Sequence, residues 1–200
     1  MLKRTIDIII ALIGLLILLP FFPIIWLILK IRSKGSVVIK EERVGRKEKI
    51  IHLYRFSAGD STISQNGKEG SQSLTLFNKF FNVLKVERWP LLLNILKGEL
   101  SFVGPFPEKY EYVREYSKEQ KEILTVRPGI FGPYHLIDIY SKNGLSQSSI
   151  TEEEYRRIVL PEKIKVELQY VRNKFLGKDL KILAGVLIKK ITNILKEVSQ

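Results

Sequence analysis

The stretch Ile8-Ile9-Ile10-Ala11-Leu12-Ile13-Gly14-Leu15-Leu16-Ile17-Leu18-Leu19-Pro20-Phe21-Phe22-Pro23-Ile24-Ile25-Trp26-Leu27-Ile28-Leu29 carries no charge over 22 residues. As a helix rising about 1.5 Å per residue it matches the hydrocarbon core of a bilayer. A cleaved secretory signal has a shorter apolar stretch and a small-residue exit. This run leads instead into Lys30, Arg32 and Lys34 and reads as a retained segment. Pro20 and Pro23 each remove a backbone donor just past its centre, which favours a kink. Both flanks are basic, with Lys3 and Arg4 before the run. Because excess Lys and Arg stay on the cytoplasmic side, two arrangements fit: a helix that breaks near Pro20 and returns to the same face, or a kinked spanning helix.

The whole chain has 200 residues, enough for one modest domain, and a net charge of +12. The absence of cysteine excludes disulfides, zinc-thiolate sites, iron–sulfur clusters and thiol catalysis. His52 and His135 are the two histidines, too few for a multi-histidine metal site, and His135 reads as structural. No G-x-x-x-x-G-K-[ST], G-x-G-x-x-G, H-E-x-x-H or G-x-S-x-G motif is present. Nucleic acid would account for the positive charge, but the cations flank an apolar run, so anionic lipid head groups account for it more economically.

Outward from the run, Val37-Val38-Ile39 and Ile50-Ile51-His52-Leu53-Tyr54 are β-rich, separated by the basic turn Arg43 to Lys47. Ser57 to Ser73 is polar and Ser/Gly-rich, a mobile loop. Leu74 to Lys85 places Leu74, Phe77, Phe80, Phe81 and Leu84 on one face of an amphipathic helix, suited to a core or a membrane interface. A second apolar stretch follows Pro90 and stops at Lys97-Gly98. Ser101 to Pro107 reads as a rigid loop, and Glu108 to Leu124 as a charged surface helix. Glu162 to Leu176 is amphipathic, and Asp179 is placed to cap a last, basic amphipathic helix, which fits either core docking or surface contact.

At Lys40-Glu41-Glu42-Arg43-Val44-Gly45-Arg46, Tyr54-Arg55-Phe56, Val126-Arg127-Pro128-Gly129-Ile130 and Tyr170-Val171-Arg172-Asn173, the chain resembles the small monotopic phosphoglycosyl transferases, the bacterial sugar transferase family. The most specific segment is Leu92-Leu93-Asn94-Ile95-Leu96-Lys97-Gly98-Glu99-Leu100-Ser101-Phe102-Val103-Gly104-Pro105, and the resemblance runs from about Lys3 to Leu183. It implies an α/β, mostly helical fold: a re-entrant membrane helix broken at Pro20 within residues 1–34, then a cytoplasmic domain over residues 35–200 with interfacial amphipathic helices and a small β element. It implies a monotopic protein on the cytoplasmic face of the bacterial inner membrane. It further implies transfer of sugar-1-phosphate from a UDP-sugar to undecaprenyl phosphate in surface glycan assembly, with Mg2+ and a covalent intermediate on the Asp of an Asp-Glu dyad. Arg55 and Arg127 are then the expected phosphate-binding residues, and Glu99 an acidic metal-ligand position.

The dyad is where the chain departs from the pattern of the family it resembles. Glu87 stands at the nucleophile position and Arg88 in place of the second acid. A glutamate keeps a carboxylate able to attack phosphorus but reaches one methylene further. Arg88 cannot ligate Mg2+, although a guanidinium stabilises phosphoryl oxygens well. Phe106 replaces the family's usual phosphate-binding Arg, and Ser57-Ala58-Gly59 replaces an Arg-Thr/Ser-Met run. Three readings stay open: an enzyme with a rearranged site, a non-catalytic relative working beside an active paralogue or as a homo-oligomer, or a membrane-surface scaffold.

Overall fold

A computed structural model of the chain describes residues 2–32, 36–57, 86–137, 139–142 and 150–198. The polar loop expected after Ser57 and the amphipathic helix expected over residues 74–85 lie outside the described residues. Among the described residues the fold is mostly helical with two small two-stranded sheets. It divides into two compact units, Met1–Glu42 with His52–Lys97, and Arg43–Ile51 with Gly98–Gln200.

In the first unit, α1 spans Leu2–Leu18 and α2 spans Phe21–Arg32, bent by 64° at the break between them. The last bond of α1 runs from the Leu19 N–H to the Leu15 carbonyl at 2.7 Å. The next residue, Pro20, has no N–H with which to continue the ladder. Pro23 falls in the first turn of α2, where an N–H has no intrahelical partner anyway. No single helix among the described residues is long and apolar enough to cross a membrane; α1 and α2 together have the length and composition. Their apolar side chains stay largely exposed, including Ile13, Leu16, Ile17, Ile24, Leu27 and Ile31.

The two β-rich runs become β1, Val38–Val44, and β2, Ile50–Phe56, paired in one sheet; β1 runs on through Arg43 and Val44, the first two residues of the expected turn. Lys47 and Glu48 in the turn between the strands have positive φ, 58° and 59°, the hand that suits the twist of paired strands. α3 spans Leu91–Lys97 and ends at Gly98, whose φ of 82° is the left-handed stop expected from Lys97-Gly98. Arg4 closes the same helix end, donating to the carbonyls of Ile95 (2.6 Å) and Leu96 (3.1 Å). Asn94 is fully buried, and its amide donates to the His52 carbonyl (2.6 Å) while accepting from the Tyr54 N–H (3.4 Å). The motif asparagine therefore fastens α3 to β2. The core of this unit joins Ile25 and Leu29 of α2 to Val37, Phe56 and Val86.

The second unit is built on a parallel pair, β3 (Ser101–Val103) and β4 (Gly129–Phe131). Gly104 and Gly129 meet there so closely that a Cβ on Gly129 would lie 2.1 Å from the Gly104 nitrogen. Ser101 to Pro107, expected as a loop, thus begins as a strand. The helix expected over Glu108 to Leu124 is broken into α4, Tyr110–Val113, and a 3-10 turn, Gln120–Thr125. It is not a solvated surface piece either, because Tyr112, Val113, Tyr116, Ile123 and Leu124 enter the core against Val44, Leu160 and Ile164. After the short α5, Ile139–Lys142, the N-terminal turn α6, Glu152–Glu154, is capped by Thr151. It continues through a π-helical turn, Tyr155–Val159, into α7, Leu160–Arg172. The last helix, α8, spans Leu176–Val198. Asp179 is therefore not its cap: α7 stops four residues before the expected end, α8 starts earlier, and Asp179 sits buried in its first turn, accepting the Tyr170 hydroxyl at 2.6 Å. One face of α8 docks through Ile182 and Val186, while Leu180 and Leu187 on another face remain exposed.

Candidate functional site

Glu87 and Arg88 lie in a 3-10 turn, Val86–Arg88, immediately before Trp89-Pro90 and α3. Val86 is a core residue packed with Ile25 and Leu29, and Trp89 packs at the edge of the same cluster. Apolar anchors on both sides thus hold the pair against α2. The Glu87 carboxylate is only 13% exposed, and its Oε1 lies 3.7 Å from Arg88 Nε, an ion pair beyond hydrogen-bond distance. Its other oxygen, Oε2, is buried without a hydrogen-bond partner among the described residues.

Of the expected phosphate ligands, Arg55 is in the same unit as this pair, and its guanidinium is engaged by Glu41 of β1 at 3.1 Å. Glu41 is a partner that sequence reasoning missed; only cross-strand pairing could have indicated it. Arg127 belongs to the second unit and donates from Nε to the Gly98 carbonyl at 2.9 Å. Glu99 is half-buried in the turn after Gly98. His135 Nδ1 accepts the Gly132 N–H (3.0 Å) at the start of a short 3-10 turn.

Among the described residues no group of three or more His, Asp or Glu side chains could hold a metal ion, and the nearest charged neighbour of Glu87 is a guanidinium. One buried carboxylate beside a fixed cation does not fit a hard divalent ion, which takes several oxygen ligands and is repelled by the arginine.

The second unit also holds a buried ionic cluster that was invisible in the sequence. Lys163 of α7 is paired with Glu108, both almost fully buried, and the Tyr155 hydroxyl donates to the same carboxylate oxygen at 2.8 Å. The Lys163 ammonium also sits over the rings of Phe106 (4.0 Å) and Tyr134 (4.5 Å). One turn further along α7, Glu167 accepts the Phe106 N–H at 2.9 Å. The loop from Gly104 to Glu108 is therefore clamped by α7, and Phe106 packs on a lysine where the family commonly has an arginine. Burial pushes the Tyr116 and Tyr155 hydroxyls up, helped by Glu108. Burial likewise raises Glu167 from the usual 4.5 to about 8, against the opposing pull of Lys163 and the Phe106 N–H.

That shift has a definite sign for stability. Between pH 4.5 and about 8 the unfolded chain has released the Glu167 proton and the folded chain still holds it. Stability should be highest below that window, decline by up to about 1.4 kcal/mol per pH unit across it, and level off above. Urea unfolding at a series of pH values checks this; Glu167→Gln should flatten the decline, and an unchanged slope in that variant would assign it to another group.

With the geometry in place, the chain matches the bacterial sugar transferase family over residues 1–193. The chain belongs to that family. Among curated members of the bacterial sugar transferase family, it is 27% identical over 188 residues to the UDP-N-acetylgalactosamine-undecaprenyl-phosphate N-acetylgalactosaminephosphotransferase of Aeromonas hydrophila, covering 90% of this chain and 41% of that protein. It is 25% identical over 201 residues to the UDP-glucose:undecaprenyl-phosphate glucose-1-phosphate transferase of Escherichia coli (strain K12), covering 96% of this chain and 41% of that one. This chain thus spans about two fifths of the length of those two transferases. It is also 28% identical to the exopolysaccharide production protein PSS of Rhizobium leguminosarum bv. phaseoli, with 96% of each chain covered.

Proposed function

We propose that this sugar transferase family protein works at a membrane surface, moving sugar-1-phosphate from a UDP-sugar to undecaprenyl phosphate. The observation that carries the reading is Glu87, a largely buried carboxylate at the nucleophile position, mounted through Val86 on the apolar helix α2. In the reaction, a Glu87 carboxylate oxygen attacks the sugar-bearing phosphorus and the bond bridging the two phosphorus atoms breaks. UMP leaves with that bridging oxygen. An oxygen of undecaprenyl phosphate then attacks the same phosphorus, and the acyl–phosphate bond breaks to return the carboxylate.

The membrane seat rests on the exposed apolar faces of α1 and α2 and on the bend at Pro20, which with basic residues at both ends favours re-entry from the cytoplasmic face over crossing. Residues 1–34 then form the membrane segment of a monotopic inner-membrane protein. The exposed Leu180 and Leu187 of α8, with Lys181 nearby on the same helix, suit a helix lying in the head-group layer.

A second reading is favoured by a specific observation. The Arg88 guanidinium lies 3.7 Å from the Glu87 carboxylate and blunts it as a nucleophile by pairing with its charge, and Arg55 is committed to Glu41. On this reading the protein is a non-catalytic relative that binds the same ligands beside an active paralogue or as a homo-oligomer. One assay separates them: UMP release by the purified protein with undecaprenyl phosphate and a panel of UDP-sugars. Lipid-dependent release that falls at least about 100-fold in Glu87→Gln supports transfer. No release from any sugar, beside an active family member, supports the non-catalytic reading.

A further inference from the structure

A nucleoside diphosphate-sugar brings its negative charge to the point where the bridging bond breaks, and a site that binds it must supply positive charge there. Many sites do this with Mg2+ held between carboxylates and the phosphate oxygens. At Glu87 the residues present provide something else. The charged partner 3.7 Å from the carboxylate is Arg88, a delocalised cation. A divalent ion drawn to Glu87 would be held within a few ångströms of that fixed charge, in a half-buried setting where screening is weak.

Arg88 is also available in a way the other expected phosphate ligands are not. Its side chain is 36% exposed and makes no hydrogen bond among the described residues. Arg55 is spent on Glu41, and Arg127 donates its Nε to the Gly98 carbonyl. Loosely paired to Glu87 beyond hydrogen-bond distance, the Arg88 fork can turn its N–H groups to phosphate oxygens while leaving the carboxylate next to them. The unpartnered Oε2 of Glu87 shows the same incompleteness on the acid side of the pair.

We propose that Arg88 takes the place of a divalent cation, so that this protein binds the diphosphate of a nucleotide without Mg2+. The inference rests on the nucleotide-sugar reading above but not on turnover. The test uses the full chain in lipid nanodiscs with UDP as the probe, measured by calorimetry in EDTA and in Mg2+. Mn2+ binding is followed separately by electron paramagnetic resonance. The expected result is a UDP affinity that is the same in both buffers within about threefold and is weakened at least about tenfold in Arg88→Gln. Arg88→Lys should fall between, since an ammonium keeps the charge but not the fork. Arg88→Glu should lose UDP in EDTA, recover it with Mg2+ and acquire Mn2+ binding that the wild type lacks.

UDP binding that vanishes in EDTA overturns the proposal, as do stoichiometric Mn2+ binding by the wild type, an Arg88→Gln variant with unchanged affinity, or failure to bind UDP in either buffer. Metal-free UDP binding without UMP release would retire the transfer reaction and leave this proposal standing. UMP release that requires Mg2+ would do the reverse.

Discussion

Gly129→Ala is expected to unfold the second unit, lowering stability by about 3–5 kcal/mol. The added Cβ would sit 2.1 Å from the Gly104 nitrogen, 2.6 Å from the Val103 carbonyl carbon and 2.7 Å from the Gly104 Cα. All three are backbone atoms, so no side chain can swing aside. The strands around them are held by Ser101 N–H to Pro128 carbonyl (2.9 Å), Gly129 N–H to Pro105 carbonyl (2.8 Å) and Gly104 N–H to Phe131 carbonyl (2.9 Å). Relief requires the strands to separate by about 1 Å, which breaks or stretches all three bonds at roughly 1 kcal/mol each and opens the packing beneath. Val103, at the end of β3, packs with Tyr170, Val171, Ile182 and Val186, so the damage should reach α7 and α8. Urea unfolding and limited proteolysis across residues 98–200 measure it. An alanine variant with an unaltered midpoint would mean the strands do not lie this close.

Lys163→Ala is the second large effect, expected to cost about 3–5 kcal/mol. It removes the ammonium paired with the buried Glu108 carboxylate, leaving the Tyr155 hydroxyl as a side-chain donor to that oxygen. The loss comes mostly from the stranded charge rather than from the pair's own net worth, because bringing both ions out of water is itself expensive. A double variant, Lys163→Met with Glu108→Leu, should therefore regain most of the stability that Lys163→Ala loses. Chemical denaturation of the three proteins tests this. If the double variant is as unstable as the single one, the cluster stabilises by its geometry and not by charge balance. The same cluster bears on repairing the loop. An arginine introduced at position 106 would meet the Lys163 ammonium that now lies 4.0 Å from the Phe106 ring, so restoring the family residue there requires changing Lys163 as well.

Much of the scaffold was legible because its signals are local. A proline inside an uncharged run marks the break after Leu18, β-branched runs mark the two strands of the first sheet, and Lys97-Gly98 marks the end of α3. What was not legible depends on residues distant in sequence. Glu108, Lys163 and Glu167 sit on polar stretches whose charge suggests solvent, and only the packing of α7 onto the Gly104–Glu108 loop buries them. Asp179 has the look of a cap, yet the chain enters α8 at Leu176 and carries it inside. The partners of the candidate site residues were not legible: nothing local reveals that Arg55 is held by Glu41 or that Arg127 holds the Gly98 carbonyl.

Asn94 has one more consequence. A strand leaves unpaired amides and carbonyls along any edge with no neighbour, and such an edge recruits other chains. By taking the His52 carbonyl and the Tyr54 N–H, the Asn94 amide imitates a neighbouring strand and fills those two positions on β2. Helix α3 thereby acts as an edge guard. In a protein that already presents the exposed apolar side chains of α1 and α2, this closes one further route to aggregation.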